Sequence, residues 1–155
     1  MIPQEVKEFI AQPPLAMCIG TRNAELKPQV TRAFAAKFSE DGEHVTVYIS
    51  KYFIESFLGN LENNGKIAFT AGSPLTHVSY QMKGSFVKTH DCTEEDYALM
   101  TPNKEAFTQV LEQYYGPDMA QTMRNFPLNP SVGITFKVED VFNQTPGPGA
   151  GNKLN

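Results

Sequence analysis

The chain contains no tryptophan, two cysteines and three histidines among its 155 residues. Cys18 and Cys92 alone can build neither a disulfide framework nor a thiolate zinc site, and they read as reduced thiols. His44, His77 and His90 have no metal-ligand spacing, so no metal site is expected, and no Ser/His/Asp or Cys/His arrangement marks a catalytic group. Charge is sparse as well. Lys and Arg number 13 against 17 Asp and Glu, a net charge of −4, and no basic tract stands out. That balance argues against nucleic acid as a partner. No apolar run approaches the roughly 18 residues of a membrane span. The opening segment has neither the signal-peptide nor the transit-peptide pattern, and the expectation is a cytoplasmic protein without a membrane partner.

What remains is enough apolar sequence for one domain over residues 1–155, with a core of its own. Periodicity gives about six short strands and a few helices. Val6, Phe9 and Ile10 form a helical stripe between Pro3 and Pro13-Pro14. Leu15 to Ile19 reads as a buried strand, Asn23-Ala-Glu as a hairpin turn, and Val30 to Phe38 as the return strand. Val45, Val47 and Ile49 alternate with Thr46, Tyr48 and Ser50. Ser50 is then the expected N-cap of a helix bearing Ile54, Phe57, Leu58 and Leu61, which stops at Asn64-Gly65. Ile67, Phe69 and Ala71 alternate next. In the longest strand Val78, Tyr80, Met82, Gly84 and Phe86 oppose Ser79, Gln81, Lys83 and Ser85. Thr93 with Asp96 resembles a capping box, and Thr101-Pro102 is expected to open a second helix ending at Gly116-Pro117. These fall in a helical insertion over 93–125. Ile134, Phe136 and Val138 make the last strand, ahead of a Gly/Pro-rich tail over 143–155. Short connections favour antiparallel pairing, so the predicted fold is mainly β: a six-stranded antiparallel barrel with flanking helices.

Few residues point to chemistry. Five of the six residues in Pro146–Gly151 are glycine or proline, but four residues follow, too few for the helix that a phosphate loop must open. An extended or mobile tail is the plainer expectation, and a tail covering a ligand or a partner is the other. Arg32 is more informative. Alternation places it with Val30, Phe34, Ala36 and Phe38 on the apolar face, where an unpaired charge costs several kcal/mol. Either an internal acid pairs with it, or a bulge turns it outward, or it is an arginine fork for a phosphate. Ser50 and Lys51 add a hydroxyl and an ammonium at a strand end, and Gln81 and Lys83 share one face of the long strand.

Taken in order, Pro28-Gln-Val-Thr-Arg32, Val45 to Lys51, Leu61 to Phe69 and Val78 to Phe86 resemble the pyridoxamine 5'-phosphate oxidase-like family of FMN-binding split barrels. The resemblance covers roughly residues 3 to 90 and resumes from Phe136 to Gly151. It implies a homodimer with FMN at the subunit interface, acting as an oxidoreductase on a small-molecule substrate. It also implies cofactor-binding roles for Arg32, Ser50, Lys51 and Gln81, and weaker ones for Tyr48 and Lys83; no residue is singled out as catalytic. The oxidase itself carries an Arg-Gln pair where this chain has Val78-Ser79, and a C-terminal Trp/Arg segment that is absent here. The implied activity is therefore that of a related flavoprotein rather than of that oxidase. The alternative is a barrel that binds flavin or haem without turnover, with His77 or His90 as the axial ligand. On the flavin reading the Gly/Pro tail is expected to cover the flavin edge or the dimer seam.

Overall fold

A computed structural model describes residues 1–52 and 54–155. Six strands, β1 (Ala16–Arg22), β2 (Pro28–Phe38), β3 (His44–Ser50), β4 (Lys66–Gly72), β5 (Ser79–Asp91) and β6 (Ser131–Asn143), close into a barrel. Around the barrel they run β1-β2-β3-β6-β5-β4, every neighbour antiparallel. The helices are α1 (Gln4–Ile10), α2 (Glu55–Asn64), α3 (Glu94–Tyr115) and α4 (Pro117–Arg124). This is the mainly β barrel with flanking helices that the periodicity predicts.

The barrel is filled by the inward half of each strand. Met17 and Ile19, Val45, Val47 and Ile49, Phe69 and Ala71, Met82, and Val132, Ile134 and Phe136 form one buried cluster. Each fully buried large side chain contributes ~1.5–3 kcal/mol, so this interior dominates the stability. A second cluster lies outside the barrel wall, where Phe34, Ala35 and Tyr48 are buried under Met100 and Phe107 of α3 and Met123 of α4.

The two clusters meet at a departure from simple alternation in β2. Its pairing with β3 shifts register between Ala33 and Ala35, a β-bulge. Ala33 belongs to the interior, Phe34 and Ala35 both belong to the outer cluster, and Ala36 and Phe38 pack inward again. The expected apolar face of Val30, Arg32, Phe34, Ala36 and Phe38 is therefore split. Val30, 68 % exposed, Arg32 and Phe34 point out of the barrel, and only Ala36 and Phe38 point in.

Two further expectations are corrected, and the place of the tail is defined. The helix after β3 opens at Glu55 with Ile54 at its N-cap, not with Ser50. Ser50 is the last residue of β3, and its hydroxyl accepts from the Tyr52 N–H at 3.4 Å. The signals at Thr93 and at Thr101-Pro102 belong to one 22-residue helix that runs across Pro102, not to two. The Thr93–Asp96 capping box opens it. Anchors hold it on both sides of the proline: Tyr97 Oη accepts from the Ser131 N–H, and Asn103 bonds both backbone groups of Leu15. Last, the tail folds back along its own β6. Gly151 N–H donates to Asn143 and Leu154 N–H to Val141, covering the β6 edge beyond the reach of β3.

Gly84 marks the tightest approach in the barrel. A Cβ there would lie 1.8 Å from the Lys137 carbonyl oxygen, so only glycine lets β5 and β6 meet at this bulge. Gly84→Ala is expected to cost at least ~3 kcal/mol in urea unfolding. Gly59→Ala, on an α2 position with nothing within 4 Å of the added methyl, is expected to gain ~1 kcal/mol. Equal effects would show that the β5–β6 contact is not rigid.

Candidate functional site

Strand register lines up side chains across the outer wall. Arg32 pairs with Cys18, Cys18 with Thr70, and Thr70 with Gln81. Two residues along on the same face, Val30 pairs with Gly20, Gly20 with Ala68 and Ala68 with Lys83. Glycine and alanine in the middle of the second row leave a cavity of about 540 Å³, lined also by Val30, Lys66 and Lys83. Two predicted site residues, Arg32 and Gln81, thus share one row, three strand spacings or about 14 Å apart along the wall.

Arg32 is half-buried at one end of that row. Its Cζ lies 4.8 Å from the centroid of the Phe107 ring on α3, a cation–π contact. None of the ion pairs among the described residues involves it. Burial pulls its pKa below the ordinary value, and the neighbouring Cys18 opposes that pull. The same burial raises the Cys18 thiol, with Arg32 drawing it back. Beside the guanidinium opens a cavity of about 470 Å³ lined by Gln29, Thr31, Arg32, Tyr52, Phe57 and Phe126, among others. A half-buried cation with no acidic partner facing a cavity is an arrangement that favours an anion.

The cavity wall is braced from α2. Asn60, 7 % exposed, donates through Nδ2 to Thr21 Oγ1 at 3.1 Å and to Gln29 Oε1 at 2.6 Å. Gln29 Nε2 in turn donates to Ser56 Oγ at 2.6 Å. Gln29 and Asn60 are not apparent as site residues from motifs. A signal exists all the same, because Asn60 interrupts the apolar stripe of Phe57 and Leu61 with a polar side chain on the buried face.

The other predicted residues are distributed unevenly. Ser50 ends β3 and is 4 % exposed; its O–H has no acceptor among the described residues. Lys51 is engaged, its ammonium paired with exposed Asp91, whose carboxyl that bond holds below the usual range. Gln81 Nε2 donates to Thr70 Oγ1 at 3.0 Å, and Lys83 Nζ stands 4.9 Å from the Phe142 ring centroid. Tyr48 is not brought to this face. It is 2 % exposed beneath α3, and burial, then its bond to Asp96, raises its hydroxyl pKa.

Of the two histidines weighed as haem ligands, His77 is exposed at φ +62° in a turn. His90 is packed against Gly133, where a Cβ would come within 2.3 Å of its Cε1, with its Nε2 3.3 Å from Asp96 Oδ2. Among the described residues no three His, Cys, Asp or Glu side chains gather as a metal site. Among the described residues no helix is long and apolar enough to cross a membrane.

Asp96 holds the helical insertion against the barrel. Burial alone would raise its pKa. The Thr93 N–H, the Tyr48 hydroxyl, His90 and the Thr93 hydroxyl outweigh that and hold it below the usual carboxylate range. A depressed folded value adds stability above the unfolded pKa of about 4, and this stability is lost as pH falls through the folded value. Asp96→Asn is expected to cost ~1–2 kcal/mol at pH 7, and the gap should shrink on acidification below about pH 4. Urea unfolding at pH 7 and pH 3 measures it; a gap independent of pH would show that the charge does not hold the helix.

No protein-family model and no curated protein matches the chain. Solved structures do. HupZ of Group A Streptococcus is 21 % identical over 97 % of this chain and 100 % of its own, with a TM-score of 0.55. A Clostridium acetobutylicum protein related to general stress protein 26, of the pyridoxinephosphate oxidase family, is 14 % identical over 97 % of this chain and 92 % of its own, TM-score 0.54. An FMN-binding protein from Syntrophomonas wolfei is 11 % identical over 83 % and 76 %, TM-score 0.50. At these identities the likeness concerns architecture, and the architecture is clear: the chain has the split-barrel fold that pyridoxamine 5'-phosphate oxidase-like and FMN-binding proteins share.

Proposed function

We propose that this protein binds FMN on the outer wall of the barrel and serves as an oxidoreductase for a small molecule. The observation that carries the reading is Arg32: a half-buried guanidinium without an acidic partner among the described residues, beside a cavity of about 470 Å³. A flavin phosphate supplies the missing anion, and its charge-assisted bonds to a guanidinium fork are among the stronger polar contacts available. The Ser50 hydroxyl, at the neighbouring strand end, adds a directed donor. Lys51 joins by exchanging Asp91 for phosphate, a small loss because that pair is exposed.

The outer wall also fits the remainder of the group. On the β2–β3 side of Arg32 the wall is filled by Phe34, Ala35 and Tyr48 under α3 and α4. The open direction runs across β1 and β4 to Gln81 and Lys83, whose polar ends would hold the ring edge. The concave row of Gly20 and Ala68 beside it suits a side chain of a second protomer, as in a homodimer with the cofactor at the seam. When bound, FMN supplies hydride and one-electron transfer; the side chains bind it, orient it and shape its surroundings. No protein acid or base is needed for that step, in keeping with a site built of binding groups. Among solved structures of this fold, one is described as FMN-binding. The two thiols, free of disulfides, suit a reducing compartment such as the cytoplasm.

Titration of the purified protein with FMN is the test. Bound flavin should give absorption bands near about 370 and 450 nm and raise the melting temperature, the equivalent of ~2.7 kcal/mol at a hundredfold excess over Kd. Arg32→Ala should weaken binding by ~1.5–3 kcal/mol. A protein that stays colourless and unshifted with excess FMN, or that takes up haem with an intense Soret band, would refute the reading.

A further inference from the structure

We propose that Gln29 and Ser56 form a second, neutral half of the phosphate site beside Arg32, and that buried Asn60 sets their polarity. The proposal deepens the flavin-phosphate reading above and rests on it. Its basis is the direction of one hydrogen-bond chain, read from where the amide nitrogens of Asn60 and Gln29 are placed.

An amide nitrogen donates and cannot accept. Asn60 Nδ2 lies 3.1 Å from Thr21 Oγ1 and 2.6 Å from Gln29 Oε1, so both of its protons are spent and both oxygens accept. Gln29 is thereby fixed with its carbonyl toward Asn60 and its Nε2 toward α2. That Nε2 donates to Ser56 Oγ at 2.6 Å. Two protons are left over at the far end of the chain: the second Nε2–H of Gln29 and the hydroxyl proton of Ser56. Neither has an acceptor among the described residues. Gln29 lines the same cavity as Arg32, and Ser56 is exposed next to it in sequence from Phe57, another lining residue.

A chain that begins on a buried amide and ends in two free donors suits a ligand that offers only acceptors. A phosphate monoester near neutral pH is such a ligand. It would take the fork of Arg32 on one side and the Gln29 and Ser56 protons on the other. The polarity depends on residue 60 being an amide. A carboxylate of the same shape could only accept. It would draw Gln29 Nε2 inward, turn Oε1 toward Ser56, consume the Ser56 proton and present lone pairs to the anion.

Asn60→Asp therefore reverses the chain with little change in volume. Gln29→Leu and Ser56→Ala interrupt it, the latter at an exposed position. Each variant and the wild type are titrated with FMN and with riboflavin, which lacks the phosphate, by quenching of flavin fluorescence; circular dichroism and melting temperature report folding. The wild type should prefer FMN. Asn60→Asp should lose at least about thirtyfold in FMN affinity, Gln29→Leu about tenfold and Ser56→Ala about threefold, with riboflavin affinity within about twofold throughout. If Asn60→Asp does not fold, the other two variants decide. A wild type that binds neither flavin, or binds both equally, overturns the phosphate reading itself. A wild type that prefers FMN, with the folded variants keeping that preference, overturns the role of Gln29, Ser56 and Asn60 alone. Parallel losses for FMN and riboflavin overturn it too, because they would mark a purely structural effect.

Discussion

One extra residue in β2 organises the site. In a strictly alternating strand, Arg32, Phe34, Ala36 and Phe38 would all face one way, and a face that serves the core would have to bury a guanidinium. The bulge between Ala33 and Ala35 removes that conflict. It lets Ala33 and then Ala36 and Phe38 complete the interior while Arg32, Phe34 and Ala35 stay outside. The outward pair of Phe34 and Ala35 gives α3 and α4 an apolar floor. Arg32 remains at its margin, half-covered by Phe107 and still charged. The barrel, the helical insertion and the candidate anion site thus meet on a few residues of one strand.

The insertion has two consequences for function. It seals the β2–β3 wall through Tyr48, Asp96 and His90, with Gly133 leaving room for the His90 ring. It also sets the surroundings of Arg32. Removing a cation from water without a counter-charge is costly, and a ring face at 4.8 Å offsets only part of that. On the proposed reading, the remainder is recovered when an anion enters. On the proposed flavin reading, the half-burial of Arg32 trades some stability of the free protein for affinity toward a phosphate.

Much of the barrel was legible in the sequence because period-two patterns and turn residues speak directly. Val45, Val47 and Ile49, and Met82 with Gln81 and Lys83, face as their alternation predicts. What escaped was non-local. A bulge is one of the readings open for Arg32, but nothing in β2 fixes its place, since Ala33, Ala35 and Ala36 suit either face. α3 crosses Pro102 because Tyr97 and Asn103 are held by β6 and Leu15, distant in sequence. Tyr48, a candidate through the resemblance alone, is covered by a helix over 40 residues downstream. The row from Arg32 to Gln81 is a matter of register between strands, and so is the meeting of Gln29 with Asn60. Polar residues on a buried stripe, such as Asn60 between Phe57 and Leu61, are the one sequence sign of such a site.

The central claim is that the anion site of this barrel is the cavity at Arg32, with the open wall beyond it running toward Gln81. A crystal structure of the protein soaked with FMN addresses it most directly. The account predicts phosphate oxygens within hydrogen-bond distance of the Arg32 guanidinium and the ring lying across β1 and β4. Phosphate density elsewhere, for example on the outer row of Lys37, Thr46, Thr135 and Lys88, with no density at Arg32, would contradict it.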